Sequence, residues 1–326
     1  MSSADWDRAQ EAIAAANQVV RPTLEAAVGR LEPQLGEPAL FHLAGGGKGV
    51  RGALTVVACQ ASGGTPNDAV LGAVAVELVH NYSLIHDDII DKDTERRHRP
   101  TVWWRFGLGR AIVVGDALAA LSLQVLLEDP RPQRVRGAQA LAEATSQMIE
   151  GQAADMAFES ERSVSVEDCL RMEEAKTAAL MACACGMGGI LATADDATIK
   201  ALFSFGKHLG VSFQAIDDVL GIWGDPEKTG KPVGSDLLAH KQSLPVVVAL
   251  SMGDGDLQAR LQGNVTEADV AELAARIEST GARAEVTQIS ERALAEALGA
   301  LESAHLVGEH QERLAAIARF VIERDR

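Results

Sequence analysis

The stretch from Glu77 to Asp91 reads ELVHNYSLIHDDIID and has the character of an apolar helix that ends in an acidic cluster. It continues a run from Asp68 in which apolar residues recur with helical rather than period-two spacing. Asp87 and Asp91 are four residues apart, so both carboxylates project from one face at the C-terminal end of the helix. The helix dipole makes that end negative, and a bound cation would relieve the repulsion. Taken alone, this motif fits a divalent-cation site and an exposed acidic helix end about equally well.

A second acidic pair, Asp217-Asp218, follows another apolar stretch late in the chain. The residues before it read Phe213-Gln214, and a loop follows Trp223. Metal sites in helical bundles are commonly built from side chains on facing helices. Mg²⁺ takes oxygen ligands and bridges one or two carboxylates to phosphate oxygens. Two acidic helix ends in one chain therefore favour a magnesium-diphosphate site more strongly than either motif alone.

Helical periodicity recurs along most of the chain, and strand-like alternation is nearly absent. The sequence therefore predicts the all-α class, an antiparallel helical bundle around a central substrate cavity. No linker or shift of composition divides the chain, so residues 1–326 are predicted to form a single domain. Asp68 and Ser165 are predicted N-caps. The predicted helices are Ala4–Leu31, Gly52–Ser62, Asp68–Asp91, Ala111–Glu128, Arg136–Ala157, Val166–Thr193, Asp196–Trp223, Gln242–Ser251, Glu267–Ser279 and Ala282–Arg324.

The composition limits the partners and the compartment. The net charge of −16 argues against nucleic acid and anionic membranes as partners of the chain as a whole. The four cysteines fit neither a zinc site nor a disulfide framework, which predicts a reducing cytoplasmic compartment. The N-terminus lacks the pattern of a signal peptide, and no run of eighteen apolar residues predicts a transmembrane segment.

Several cations stand apart from one another and near the acidic motifs. Gly45-Gly46-Gly47-Lys48-Gly49-Val50-Arg51 is a glycine-rich loop with two cations, but its spacing is not that of a Walker A loop. Taken singly, each of these cations fits an exposed surface residue. Together with two acidic clusters they suit a diphosphate, since arginine matches phosphate geometry. The others are His80, Arg96, Arg97, Lys176 beside Thr177, Lys231 and Lys241.

From the loop at Gly45 to the region of Pro245, these motifs resemble, in order, those of a trans-isoprenyl diphosphate synthase of the polyprenyl synthetase family. The resemblance implies a prenyltransferase that joins isopentenyl diphosphate to dimethylallyl, geranyl or farnesyl diphosphate by ionisation, condensation and elimination. It also implies a homodimer and three Mg²⁺ ions per site.

By position, the resemblance gives each residue a role. It implies three direct magnesium ligands, Asp87, Asp91 and Asp217, and two supporting carboxylates, Asp88 and Asp218. The residues that match the isopentenyl diphosphate site are Lys48, Arg51, His80 and Arg97. The residues that match the allylic diphosphate site are Arg96, Lys176, Lys231 and Lys241. The residues beside the forming carbocation are Thr177 and Gln214.

Two positions depart from the family pattern. Gly49 stands where an arginine commonly follows the loop lysine, and Gly221 replaces the last aspartate of the second motif. The second departure leaves open how the third metal ion is held.

Tyr82 lies five residues before Asp87, about 7.5 Å along a helix at about 1.5 Å per residue. In the family a bulky ring at this position resembles a floor that stops chain elongation, which predicts geranylgeranyl diphosphate as product, with farnesyl diphosphate as the alternative. Helix geometry alone places the Tyr82 ring on a different face of the helix from Asp87. The alternative interpretation, that Tyr82 is an ordinary core residue, therefore stays open.

Other functions remain to be weighed. A class I terpene cyclase on the same fold would need no isopentenyl diphosphate site, a non-catalytic partner subunit usually lacks the aspartates, and a plain helical scaffold leaves the ordered cations and acidic pairs unexplained.

Overall fold

The computed structural model describes residues 2–159, 161, 163–225, 233–253, 255–261, 263 and 265–323. In these residues nearly all secondary structure is helical, which confirms the predicted all-α class. The two strands, β1 (Glu95–Arg96) and β2 (Arg99–Pro100), form a short antiparallel hairpin. The helices are α1 Ser3–Val28, α2 Pro33–Leu43, α3 Val50–Ala61, α4 Pro66–Ile90, α5 Val102–Phe106, α6 Leu108–Leu127, α7 Pro132–Phe158, α8 Val166–Glu173, a π-helical turn Glu174–Ala178, α9 Ala179–Leu191, α10 Asp196–Trp223, α11 Ser235–Leu238, α12 Leu244–Ser251, α13 Gly255–Leu261, α14 Glu267–Ser279, α15 Ala282–Glu302 and α16 Gly308–Glu323.

Four short helices and the hairpin are absent from the sequence prediction, and one of these helices is the four-residue α11. Helix α2 begins at Pro33 and contains Pro38, and prolines hide a helical pattern although the first turn accepts them. Helices α5 and α13 have five and seven residues, too few for periodicity to show.

Two predicted helix boundaries are wrong. Thr65, not Asp68, is the N-cap of α4, because Thr65 and the Asp68 carboxylate form a reciprocal capping box. The predicted helix 282–324 is divided into α15 and α16, and between them the Val307 N–H donates to the Ala61 carbonyl at 2.8 Å. Ser165 caps α8 as predicted.

The internal contacts divide the chain into two compact units. The first comprises Met1–Thr145, Leu180–Gly206 and Ala300–Phe320. In it α4 packs against α1, α3 and α6, and its segment 73–79 is buried on all sides. A helix without a polar face belongs in the interior. The core of this unit therefore fixes the helix whose end carries Asp87 and Asp91.

The second unit comprises Ser146–Ala179, Lys207–Gly299 and Val321–Arg326. Its core is a cluster of apolar side chains from α8, α10, α12 and α14, with α12 buried almost throughout its length. This cluster holds the part of α10 that carries Asp217 and Asp218. The single domain over residues 1–326 stays a prediction.

Helices α4 and α6 are long and apolar enough to cross a membrane by length and composition. Within the protein, 67% of the apolar window of α4 and 44% of that of α6 are buried. Core helices of soluble proteins have the same composition, so the two helices are weak evidence for a membrane span.

Candidate active site

The first acidic site consists of Asp87, Asp88 and Asp91 at the end of α4. Asp91 is exposed and Asp87 half-buried, whereas Asp88 is 1% exposed. The last turn of α4 has no basic residue to balance the helix dipole. In the described residues, no group of three or more His, Cys, Asp or Glu side chains is placed so that the group could hold a metal ion. Mg²⁺ needs only one or two carboxylates when phosphate oxygens complete its shell, so Asp87 and Asp91 fit it.

Asp88 supports the site from beneath. Its Oδ1 accepts a hydrogen bond from Arg96 Nε at 2.6 Å. Burial raises the pKa of Asp88 to about 6, although the Arg96 guanidinium opposes the rise. Its ion pair therefore orients Arg96, whose other guanidinium nitrogens can bind a phosphate.

The cation cluster consists of Arg51, His80, Arg96 and Arg97, all in the first unit. Arg51 Nη1 lies 3.3 Å from His80 Nε2. Burial, then the charges of Arg51 and Arg97, lower the pKa of His80 well below its ordinary value, so its ring is neutral. The Arg97 guanidinium packs against Gly47 of the loop, where a Cβ would lie 3.0 Å from Nη1. Three guanidinium groups in one place suit a multivalent anion.

Two buried residues behind this cluster were not predicted from the sequence. The Glu77 carboxylate accepts the Gly52 N–H at 2.7 Å, and burial raises the pKa of Glu77 against the lowering effects of that bond, Arg51 and Arg97. Burial, then Arg96 and Arg97, lower the pKa of His42 to about 3. Glu77 is therefore a buried carboxyl group next to Arg51 and Arg97 of the cation cluster.

The glycine-rich loop is held by a residue of α1. Asn17 Nδ2 donates to the Lys48 carbonyl at 2.8 Å. Gly49 has φ +58°, and a Cβ there would lie 2.9 Å from Cγ of Asn17. Glycine adopts that conformation readily, and its lack of a Cβ leaves room for the Asn17 side chain. Lys48 Nζ lies 5.5 Å from the ring centroid of Phe320.

Tyr82 is buried next to the first acidic site. Its ring meets the His86 ring edge-on, with centroids 5.6 Å apart. Burial, then the charges of Asp87 and Asp116, raise the pKa of Tyr82 to about 12. The ring is therefore within electrostatic reach of Asp87 despite its position on the helix.

The second acidic site contains Asp217 and Asp218 on α10. Asp217 is exposed, whereas Asp218 is 7% exposed. Asp218 Oδ1 accepts from Gln214 Nε2 at 2.6 Å, and its Oδ2 accepts the Leu244 N–H at 2.8 Å. This division of burial is what a metal ligand at Asp217 and a supporting carboxylate at Asp218 require.

Lys176 and Thr177 lie in the π-helical turn, where the Ala179 N–H donates to the Glu174 carbonyl five residues back. Such turns occur frequently at functional sites. Gly151 and Gly210 allow neighbouring helices to approach the turn: a Cβ on Gly151 would lie 2.7 Å from Cα of Lys176. The sequence predicted an uninterrupted helix 166–193, so the turn is a correction.

Thr177 and Gln214 form one hydrogen-bonded unit. Thr177 Oγ1 donates to Gln214 Oε1 at 2.7 Å. Because Gln214 Nε2 donates to Asp218, the amide orientation is fixed and its oxygen faces Thr177.

The remaining predicted cations differ in what the structure shows. Lys176 Nζ pairs with Asp155 Oδ2 at 2.5 Å. The Lys241 N–H donates to the Asp236 carbonyl at 2.9 Å, which places Lys241 directly after α11. Lys231 lies outside the described residues.

Glu173, also missed from the sequence, is 2% exposed and borders Asp218. Glu173 Oε2 has no protein donor, and two carboxyl groups can hydrogen-bond only if one carries a proton. Since Asp218 already accepts two N–H groups, Glu173 is the protonated partner. Burial, then the charge of Asp218, raise the pKa of Glu173 well above its ordinary value.

Replacing Glu173 with glutamine is expected to remove a pH dependence of stability. In the folded chain the pKa of Glu173 is raised, so its contribution is complete below the ordinary pKa and is lost as pH rises through the folded-state value. Glutamine keeps a neutral donor to Asp218 and does not titrate. Calorimetry should therefore show Tm falling less between pH 5 and pH 8 in Glu173→Gln than in the unchanged chain.

The control is Glu167→Gln, an exposed site on the same helix, whose Tm should change with pH as in the unchanged chain. If Tm changes equally with pH in all three proteins, Glu173 is not the protonated partner.

Comparison with known proteins identifies the family to which the chain belongs. The sequence model of the polyprenyl synthetase family matches residues 32–279. The chain belongs to the polyprenyl synthetase family. Its relatives include a (2E,6E)-farnesyl diphosphate synthase of Mycobacterium tuberculosis, 39% identical over 329 residues that cover 95% of this chain and 91% of the other. A geranylgeranyl diphosphate synthase of the same organism is 45% identical over 243 residues, covering 71% and 69%.

Solved structures agree with the family. The crystal structure of a polyprenyl synthetase from Streptomyces coelicolor A3(2) superposes with a TM-score of 0.91 at 42% identity, covering 96% of this chain and 99% of that one. The present chain is thus a short-chain isoprenyl diphosphate synthase. It is a prenyltransferase, and its family uses divalent metal. The predicted family, fold class and enzyme class are confirmed.

Proposed function

We propose that this polyprenyl synthetase condenses isopentenyl diphosphate with an allylic diphosphate (dimethylallyl, geranyl or farnesyl) in a magnesium-dependent reaction whose final product is geranylgeranyl diphosphate. The observation that carries the proposal is the cation cluster, in which Arg51, His80 and Arg97 meet the glycine-rich loop. A terpene cyclase needs no such second diphosphate site. The intact first acidic motif argues against a non-catalytic subunit.

We propose a role for each residue of the two acidic sites and of the cations around them. Bound Mg²⁺ supplies charge neutralisation for the departing diphosphate, and Asp87, Asp91 and Asp217 are the residues to hold it. Arg96, Lys176, Lys231 and Lys241 bind the allylic diphosphate. Lys48, Arg51, His80 and Arg97 bind isopentenyl diphosphate. The Thr177–Gln214 unit presents fixed dipoles toward developing positive charge.

In the reaction the allylic carbon–oxygen bond breaks and diphosphate leaves. The double bond of isopentenyl diphosphate then forms a carbon–carbon bond to the allylic carbon. A proton is lost, for which the departing diphosphate is the base. Apolar walls that exclude water would protect the cation from hydrolysis.

We further propose a cytoplasmic homodimer. In the first unit the side chains of Trp104, Leu108, Ile112 and Val113 are between 43% and 61% exposed, an apolar surface that suits burial against a second copy. The free, buried cysteines suit a reducing compartment.

Product length is proposed to depend on Tyr82, and Tyr82→Ala is expected to shift the main product beyond geranylgeranyl diphosphate. Removal of the ring opens the space beside Asp87. The measurement is chromatography of products made from labelled isopentenyl diphosphate with each allylic primer. Tyr82→Phe keeps the ring and should keep the product. If farnesyl diphosphate is the main product of the unchanged chain, the protein is instead a farnesyl diphosphate synthase. If all three proteins make products of the same length, a residue other than Tyr82 stops chain elongation.

A further inference from the structure

Gly221 leaves the second acidic site without a carboxylate one turn after Asp217. On α10 these two positions are four residues apart, as Asp87 and Asp91 are at the end of α4. Residues four apart on a helix share a face. The first acidic site thus has two carboxylates where α10 itself offers one.

The Asp236 carboxylate occupies the volume that a side chain at position 221 would fill. A Cβ on Gly221 would lie no more than 2.9 Å from Cγ and both oxygens of Asp236. Ser235 Oγ lies 3.4 Å both from the Gly221 carbonyl and from Asp236 Oδ1, which connects the two segments. A side chain at position 221 would therefore have to displace the Asp236 carboxylate.

Two carboxylates lie close together at this point of α10, those of Asp218 and Asp236. Asp218 is buried and already accepts the Gln214 amide and the Leu244 N–H. Asp236 is near enough for its charge to raise the pKa of Asp218. Asp218 is therefore committed to the protein. The Asp236 carboxylate lies where a side chain at position 221, one helical turn after Asp217, would begin.

We propose that Asp236 supplies the carboxylate that α10 lacks at Gly221, so that Asp217 and Asp236 together hold a divalent cation at the second acidic site. This inference rests on the proposed magnesium-dependent function. Mg²⁺ binds through one or two carboxylates together with phosphate oxygens, which Asp217, Asp236 and a diphosphate provide. The second motif is then complete, with its last carboxylate delivered from α11 rather than α10.

A carboxylate exchange tests the assignment. Mn²⁺, which prefers the same oxygen ligands, is titrated into the full chain with inorganic diphosphate, and free Mn²⁺ is measured by electron paramagnetic resonance. Asp236→Ala and Asp236→Asn are expected to weaken binding of one Mn²⁺ per chain by about 10–100-fold, by analogy with the cost of losing supports around a metal. The double variant Gly221→Asp/Asp236→Ala should recover most of that loss, because it returns the carboxylate to α10. Gly221→Asp alone should bind more weakly, because its side chain collides with Asp236.

Two results would overturn the inference: Asp236→Ala and Asp236→Asn that bind Mn²⁺ as the unchanged chain does, or a folded double variant no better than Asp236→Ala. Circular dichroism establishes which variants are folded. Since no isoprenyl substrate is present, these outcomes are independent of the product. An unchanged chain that binds no Mn²⁺ would instead count against the proposed metal dependence itself.

Discussion

Asp87→Ala and Asp91→Ala are each expected to lower kcat by about a thousandfold or more, since metal-assisted charge stabilisation is worth several kcal/mol and each 1.4 kcal/mol is about tenfold. Both carboxylates lie at the end of α4, outside the buried segment that fixes the helix. Their loss removes ligands for the cation while the helix stays in place. The measurement is turnover with isopentenyl and allylic diphosphates in saturating magnesium.

Excess chelator should abolish turnover of the unchanged chain in the same assay. Asp196→Ala, which removes a carboxylate from an exposed ion pair on the surface, serves as the matched control and should leave kcat unchanged. Full activity in chelator would refute the metal assignment. A loss of circular dichroism in Asp87→Ala or Asp91→Ala would assign the effect to folding instead.

Arg51→Ala is expected to raise KM for isopentenyl diphosphate by about 10–100-fold, because a charge-assisted hydrogen bond is worth about 1.5–3 kcal/mol. KM for the allylic substrate should change little, since Arg51 lies beside His80 and is assigned with it to the isopentenyl diphosphate site. Lys48→Ala is expected to act in the same direction. His80→Ala should have a smaller effect, because its ring is neutral and offers hydrogen bonds rather than charge.

The control for this series is Arg105→Ala, an exposed arginine whose guanidinium stacks on the Phe41 ring at 4.7 Å. It removes a nearby positive charge outside the cation cluster and should leave both KM values unchanged. Equal increases in KM for the two substrates in Arg51→Ala would reject a dedicated isopentenyl diphosphate site.

The fold class was predictable because helical period and the absence of strand patterning are local properties of the sequence. The acidic motifs were visible for the same reason: Asp87 and Asp91 lie one turn apart on one helix. The ion pair of Asp88 with Arg96 could be anticipated only in part, because its eight-residue separation depends on the hairpin, and two-residue strands leave no period.

Residues that act across long separations were not predictable. Asn17 and Lys48 are 31 residues apart, and nothing in either segment indicates the other. Glu173 precedes Glu174 in what reads as an exposed acidic helix, and only tertiary packing buries one of the two. Gly221 was read as a loss from the motif, because a single sequence does not show that Asp236 fills the same volume.

The neutral histidines of the first unit have a consequence for how the enzyme responds to acidification. The pKa of His42 is lowered to about 3 and that of His80 lies well below its usual value, so neither gains a proton in a mildly acidic cell. The positive charge of the cation cluster comes from guanidinium groups, which stay protonated at every physiological pH. In the proposed function, the binding of isopentenyl diphosphate at these guanidinium groups is therefore insensitive to mild acidification.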